Sequence, residues 1–395
     1  MQDQLKEQSP YPLFLSIAFI AVLAEFLLVP FYPQFFEQTF GITSIGHTGY
    51  YFTACRLVLL VGFPIWAKIA YKVRPIYLLI VSQSLAGILS LVCYYMLSIE
   101  WFWIVSLAML LFKSGYLLIY PLLIQYGSEQ KQLKTIGILS VFIHLATLLS
   151  TWLGSYLFEY STLKTAFIFI AIADFLQMGI SFVLVPKDIR LIKENKESHT
   201  ASQTKENFSI LFFISFLFFF ATTLIRPYFT KFLEFSNNQL SALQEGMIFS
   251  IPSIAALVTF PFLGRILKKQ DVSLNLSLFF LLGIFGLALQ VSGMLYAIIA
   301  GRIIYGIAIF VSFAAIDLFL FQHSSPNLYT IRYSKLHIFQ NLGLLMAPLL
   351  AGIVAEKFNY QVLFFYSIAF LLVSLGCIPF LTNKKSIKVL NFKSN

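Results

Sequence analysis

The chain has 395 residues, 59% hydrophobic and only 11% charged, so it has too few polar residues to cover the surface of a water-soluble globule, and lipid is read as its main solvent. A formal net charge of +10 would raise nucleic-acid binding in a soluble protein, but the placement of the cations below makes it a topology signal instead. The cysteines Cys55, Cys93 and Cys377 all lie in apolar stretches, which points to free thiols packed as small apolar groups and away from a disulfide or zinc framework.

In chain order, apolar stretches long enough to cross the hydrocarbon core as helices fall at about 12–34, 47–67, 75–98, 101–125, 135–158, 164–186, 208–230, 241–264, 272–294, 296–321, 332–355 and 360–381. The first follows a polar leader, carries Glu25 in its middle and lacks a small-residue cleavage site, so it is expected to remain as a span. Between the sixth and seventh lies KDIRLIKENKESHTASQTKEN, the one extended polar run inside the chain, read as a linker. The expected organisation is an all-α membrane protein of twelve helices: a six-helix bundle over 1–186, a linker over 187–207, and a second bundle with a short tail over 208–395.

The two bundles are copies. Shifted by 197 residues, Pro30–Lys72 falls on Pro227–Lys269 without a gap and matches at 12 of 43 positions, among them Pro30/Pro227, Glu37/Glu234, Gly49/Gly246 and Pro64/Pro261. The same register pairs Phe142 with Phe339 and Gly179 with Gly376, so a duplicated unit is the reading. An even number of crossings per unit inserts both the same way round, which relates them by an axis along the membrane normal. Lys and Arg outside the spans number 20 on the side of the termini and linker and 3 on the other, Lys164, Lys231 and Lys357. That asymmetry places both termini in the cytoplasm, with a bacterial inner membrane as the expected location.

Short motifs carry a resemblance. After the second span, Phe63-Pro64-Ile65-Trp66-Ala67-Lys68-Ile69-Ala70-Tyr71-Lys72 is similar to the Pro followed by G-x-L-a-D-r of the major facilitator superfamily, with Ala67 at the Gly and Tyr71 at the Asp. Its copy, Pro261 to Lys269, keeps Gly264 but has Lys268 at the acidic position. Gly343 to Gly352 in the eleventh span resembles the small-residue and proline motif of the family's proton antiporters, and Arg302 with Gly306 resembles their R-x-x-x-G. Close packing of small residues accounts for the first of these without any coupling role. The resemblance covers the whole chain, and it implies a two-bundle transporter whose spans 1, 4, 7 and 10 line a central cavity, with 2, 5, 8 and 11 beside them.

The ionisable residues inside the spans are Glu25, Arg56, Lys113, His144, Asp174, Arg226, Arg302 and Asp317. Each is costly in hydrocarbon unless paired or facing water. At about 1.5 Å per residue, Glu25, Arg56, Lys113 and His144 come out roughly 15–20 Å above their cytoplasmic helix ends, at one level near the midplane. Asp174 shares that depth on the sixth span, which the resemblance makes peripheral, and is read as a structural partner. Arg226 and Arg302 come out near the outer ends, where they snorkel, pair with Glu245 or form an outer gate. Asp317 lies near the inner end and is read as an ion-pair partner of Lys134 or Arg332. The 197 shift maps Glu25 to Thr222, Arg56 to Ser253, Lys113 to Phe310 and His144 to Asn341, so the first half supplies charge and the second answers with neutral groups and a Phe-rich wall.

The function these residues point to is secondary active transport by alternating access. Arg56 and Lys113 are expected to hold a small organic anion, such as a carboxylate metabolite or a carboxylate siderophore. Thr222, Ser253, Phe310 and Asn341 complete that site, and Glu25 with His144 carry the coupling proton. Multidrug efflux is the alternative; a membrane-embedded enzyme or a non-transporting sensor is a remote one, since no nucleophile–base pair, metal cluster or phosphate loop is apparent. No cofactor and no nucleic-acid partner are expected, and a monomer is.

Overall fold

The computed structural model of the protein describes residues 10–125, 132–187, 189–190, 208–236, 239–268, 271–324 and 329–381. Most of the linker and the C-terminal tail lie outside them. Twelve helices among these residues are long and apolar enough to cross a membrane: α1 Tyr11–Phe40, α2 Ile45–Ala70, α3 Pro75–Tyr95, α4 Ile99–Leu123, α5 Val141–Tyr160, α6 Leu163–Leu184, α7 Ser209–Phe235, α8 Ala242–Lys268, α9 Val272–Val291, α10 Leu295–Gln322, α11 Ile331–Lys357 and α12 Val362–Leu381. No strand occurs among the described residues.

The duplication is visible element by element. Adding 197 to the bounds of α2 gives 242 and 267, against the observed Ala242–Lys268. The breaks repeat as well. Pro30 lacks the amide a helix needs, so α1 runs as helix over Tyr11–Phe26, tightens to a 3₁₀ turn over Val29–Phe31 and restarts at Tyr32–Phe40. Pro227 does the same between Ser209–Leu224 and Phe229–Phe235. Gly41, at φ +67°, then ends α1 in the left-handed conformation, its amide donating to the carbonyls of Phe36 and Glu37.

Packing follows the same rule. The pairs α3/α6, α3/α4, α1/α5 and α1/α6 recur six helices later as α9/α12, α9/α10, α7/α11 and α7/α12. By packing, however, the chain does not divide at the linker alone. One compact unit takes α1–α6 together with Pro227–Leu257, and the second takes the rest of α7 with everything from Val258 onward. The core of the first unit is aromatic toward the α1–α2 junction, with Phe31, Phe35, Phe36, Tyr51, Phe102 and Phe167 buried together, and aliphatic toward the N-terminus, where Ile17, Leu79, Ile119 and Leu122 meet.

Helix approach depends on small residues. A Cβ at Gly154 would lie 2.1 Å from the Leu27 carbonyl oxygen across the α1/α5 contact, and one at Gly343 would lie 2.6 Å from the Phe216 carbonyl oxygen across α7/α11. The small-residue stretch of α11 therefore has a packing role. The repeat partners Gly179 and Gly376, by contrast, have nothing within 4 Å. Gly154→Ala is expected to lower stability by about 1–3 kcal/mol, the usual cost of overpacking a seam, with Gly179→Ala and Gly376→Ala near zero. Thermal unfolding of the purified variants in detergent checks the contrast.

Candidate functional site

The charged residues expected at one level sort into two groups once helix faces are known. Glu25 on α1 meets Arg56 on α2 and Tyr116 on α4. The Tyr116 hydroxyl donates to Glu25 Oε2 at 2.7 Å, whereas the Arg56 guanidinium stands 3.9 Å from Oε1, too far for a hydrogen bond. Tyr120 packs against Tyr116 with ring centroids 6.3 Å apart. The Arg56 and Glu25 side chains are 32% and 22% exposed. An ion pair this long and this incompletely buried contributes about 0–1 kcal/mol, so a ligand that displaces one partner loses little.

Lys113 is turned elsewhere. Its Nζ lies 2.8 Å from Asp174 Oδ1 on α6, both residues are sealed from solvent, and Ser90 and Gln177 also donate to that carboxylate, at 3.3 and 3.4 Å. Gln83 reaches the Lys113 carbonyl from α3 at 3.4 Å. Lys113 thus has its charge cancelled inside the α3/α4/α6 contact, with no face left for a substrate in this conformation. Of the two cations read from the sequence, Arg56 lies beside Glu25 and Lys113 beside Asp174.

Other expected residues are placed as follows. His144 is half-buried on α5. Ser253 belongs to the first unit, and Thr222, Phe310 and Asn341 to the second. The Thr222 hydroxyl donates to the Phe219 carbonyl of its own helix, Phe310 is buried against Phe260, and the exposed Asn341 donates to the His337 carbonyl at 2.8 Å. Two ion pairs read from depth alone do not form. Asp317 has no ion pair with Arg332: its Oδ1 is buried without a hydrogen-bond partner, while Arg332 donates to the His323 carbonyl and covers the Phe208 ring at 4.3 Å. Lys134, the other partner considered, has no described side chain. Glu245 likewise has no ion-pair partner among the described residues; it is 3% exposed with Oε2 unbonded. Arg302, buried at 7% exposure, lies within electrostatic reach of Arg226 and Tyr305.

A further polar group lies outside the residues expected from the sequence. Within the first unit, the Tyr32–Phe40 segment of α1 is tied to the Phe229–Phe235 segment of α7. Gln34 Nε2 donates to Thr230 Oγ1 at 3.0 Å and to Glu234 Oε1 at 2.7 Å, and Thr230 donates to the Pro30 carbonyl. Lys231 lies between Glu37 and Glu234 at 2.6 and 2.7 Å. Nearby, Tyr228 donates to the Ile45 carbonyl at 3.1 Å, Trp152 to Ser250 at 3.1 Å, and the Ala242 amide to Glu159 at 2.7 Å. Gln34 and Lys231 are repeat equivalents, as are Glu37 and Glu234. The clasp is thus built from duplicated positions facing each other, with one copy of the Gln/Lys pair changed into a cation. Gln34 and Thr230 are the last residues of their predicted spans and Glu37, Lys231 and Glu234 lie just past them; of the five, only Glu37 and Glu234 match in the 197 register.

The comparisons agree with this architecture. The family model of the Major Facilitator Superfamily matches residues 14–289 and 211–393. A multidrug resistance protein, MdtG, of Klebsiella pneumoniae (strain 342) is 24% identical over 370 residues, covering 88% of this chain and 87% of the relative. Among solved structures, a bacterial homologue of the human lysosomal transporter Spinster superposes with a TM-score of 0.75 at 12% identity, over 94% of this chain and 97% of the other. The nucleoside transporter NupG does so with 0.73 at 13% identity, over 95% and 99%. With the family model spanning nearly the whole chain and twelve helices of spanning length repeated as six and six, this chain belongs to the Major Facilitator Superfamily and is a multi-pass membrane transporter.

Proposed function

We propose that the chain is a proton-coupled secondary active transporter for a small organic anion, working by alternating access with both termini in the cytoplasm. The observation that carries this reading is the unequal hold on Glu25: Tyr116 binds it at 2.7 Å, while Arg56 stands off at 3.9 Å and keeps its guanidinium partly exposed. A substrate carboxylate or phosphate can take the Arg56 fork with two parallel hydrogen bonds. Glu25, left without its cation, then takes up a proton, so substrate and proton are linked through one guanidinium. The clasp of Gln34, Glu37, Thr230, Lys231 and Glu234 serves as the gate at the end that the charge asymmetry assigns to the outside.

Glu25→Gln is expected to abolish accumulation driven by a pH gradient while sparing substrate exchange. Uptake and counterflow in proteoliposomes, with a panel of organic anions and the pH varied on each side, measure both; undiminished gradient-driven accumulation in the variant would remove Glu25 from the coupling step. Multidrug efflux is the second reading. It is favoured by the name of the 24% identical relative and by the aromatic side chains of α7, where Phe212 stacks on Phe339 with centroids 5.5 Å apart.

A further inference from the structure

Glu245 is the most deeply buried carboxylate of the clasp region. It occupies the first turn of α8 at 3% exposure, and its Oε2 has neither a hydrogen-bond partner nor solvent. At the next residue the helices are in close contact: a Cβ at Gly246 would overlap Ser155 Oγ and lie 2.8 Å from Ser155 Cβ, so α8 lies directly on α5 there. The charged groups facing Glu245 are Glu159 from α5 and both Glu234 and Lys231 from α7. Glu37 on α1 adds a further carboxylate through its 2.6 Å contact with Lys231. Lys231, the one cation of the group, is already shared between Glu37 and Glu234, and Glu159 is held by the Ala242 amide three residues before Glu245.

An ionised Glu245 in the closed clasp would therefore be a buried charge without a counter-ion, close to two more carboxylates, which is a heavily penalised arrangement. No group of three or more His, Cys, Asp or Glu able to hold a metal occurs among the described residues, and a proton on the carboxyl removes the penalty. We propose that Glu245 is a proton-binding site that locks the clasp: it holds a proton while Gln34, Thr230, Lys231 and the two glutamates are engaged, and gives it up as the clasp opens. Closure then takes one proton from the aqueous phase on that side, and acidity there favours the closed form. The role in transport rests on the reading that this end is the outer gate; the proton linkage itself does not.

Hydrogen exchange of the full-length purified protein tests it without substrate or gradient. After division by the intrinsic chemical rate, exchange of Tyr32–Phe40 and Phe229–Phe235 is expected to speed up with rising pH between about 5 and 9. The limit is about tenfold per unit, as linkage to one proton allows. The interior helix Pro75–Tyr95 is expected to stay flat. Glu245→Gln is expected to erase the pH dependence and keep the clasp protected throughout, and Glu245→Asp, which retains a carboxyl group, to preserve it. A flat wild-type profile overturns the proposal whether or not the variants fold. So does an unchanged slope in Glu245→Gln, or a slope removed by Glu234→Gln instead. A flat profile leaves the Arg56 site standing, and failure of anion transport leaves this linkage standing.

Discussion

Asp174→Leu is expected to cost the folded protein about 3–5 kcal/mol, because it leaves the ammonium of Lys113 buried without its counter-ion. Both side chains are sealed from solvent and 2.8 Å apart, so neither can turn to water without opening the α3/α4/α6 contact. Lys113→Met alone is expected to cost a similar amount for the mirror-image reason. The double variant Lys113→Met, Asp174→Leu is expected to recover most of the loss, since removing both charges of a buried pair is often neutral or better. Thermal unfolding of the four proteins in detergent gives the coupling between the two sites. The same set decides a functional question. If Lys113 only cancels Asp174, the double variant transports; a stable double variant without transport would return Lys113 to the substrate site.

That question could not be resolved from the sequence, for a physical reason. In a soluble helix the apolar stripe marks the buried face, but in lipid both the core-facing and lipid-facing sides are apolar. Rise per residue gives the height of Lys113, and nothing in the periodicity gives its direction around the helix. Height alone groups Lys113 with Arg56, sets Asp317 beside Lys134 or Arg332, and offers Glu245 to Arg226 and Arg302 as one reading beside snorkelling and an outer gate. Fold was legible because it rests on span length and on the 197 register, and that register extends to the proline breaks at Pro30 and Pro227 and to the recurrence of helix pairs. The clasp was half legible. Glu37/Glu234 was an identity within the repeat, but the spans were ended at 34 and 230, because an apolar window stops where polar residues begin while helical hydrogen bonding continues to Phe40 and Phe235.

Arg56→Ala is expected to weaken binding of an organic anion by about 1.5–3 kcal/mol, roughly 10- to 150-fold in apparent affinity, the worth of a charge-assisted hydrogen-bonded contact. Arg56→Lys keeps the charge but loses the planar fork, so an intermediate loss is expected, larger for a carboxylate or phosphate than for a singly coordinated anion. Tyr116→Phe tests the other side of the balance. With the 2.7 Å hydrogen bond gone, Glu25 is free to close the 3.9 Å gap to Arg56, and the tightened pair competes with the substrate. Its expected signature is a raised KM for the anion, with Arg56 intact and no loss of fold. Binding of radiolabelled anion to the purified variants, and transport in proteoliposomes, measure these shifts. A multidrug exporter for lipophilic cations predicts the opposite sign at Arg56. Removing a positive charge would leave cation binding unchanged or improve it, and would unmask Glu25 as the attracting group. One substitution therefore separates the two substrate classes, because the same guanidinium that would recruit an anion would repel a cation.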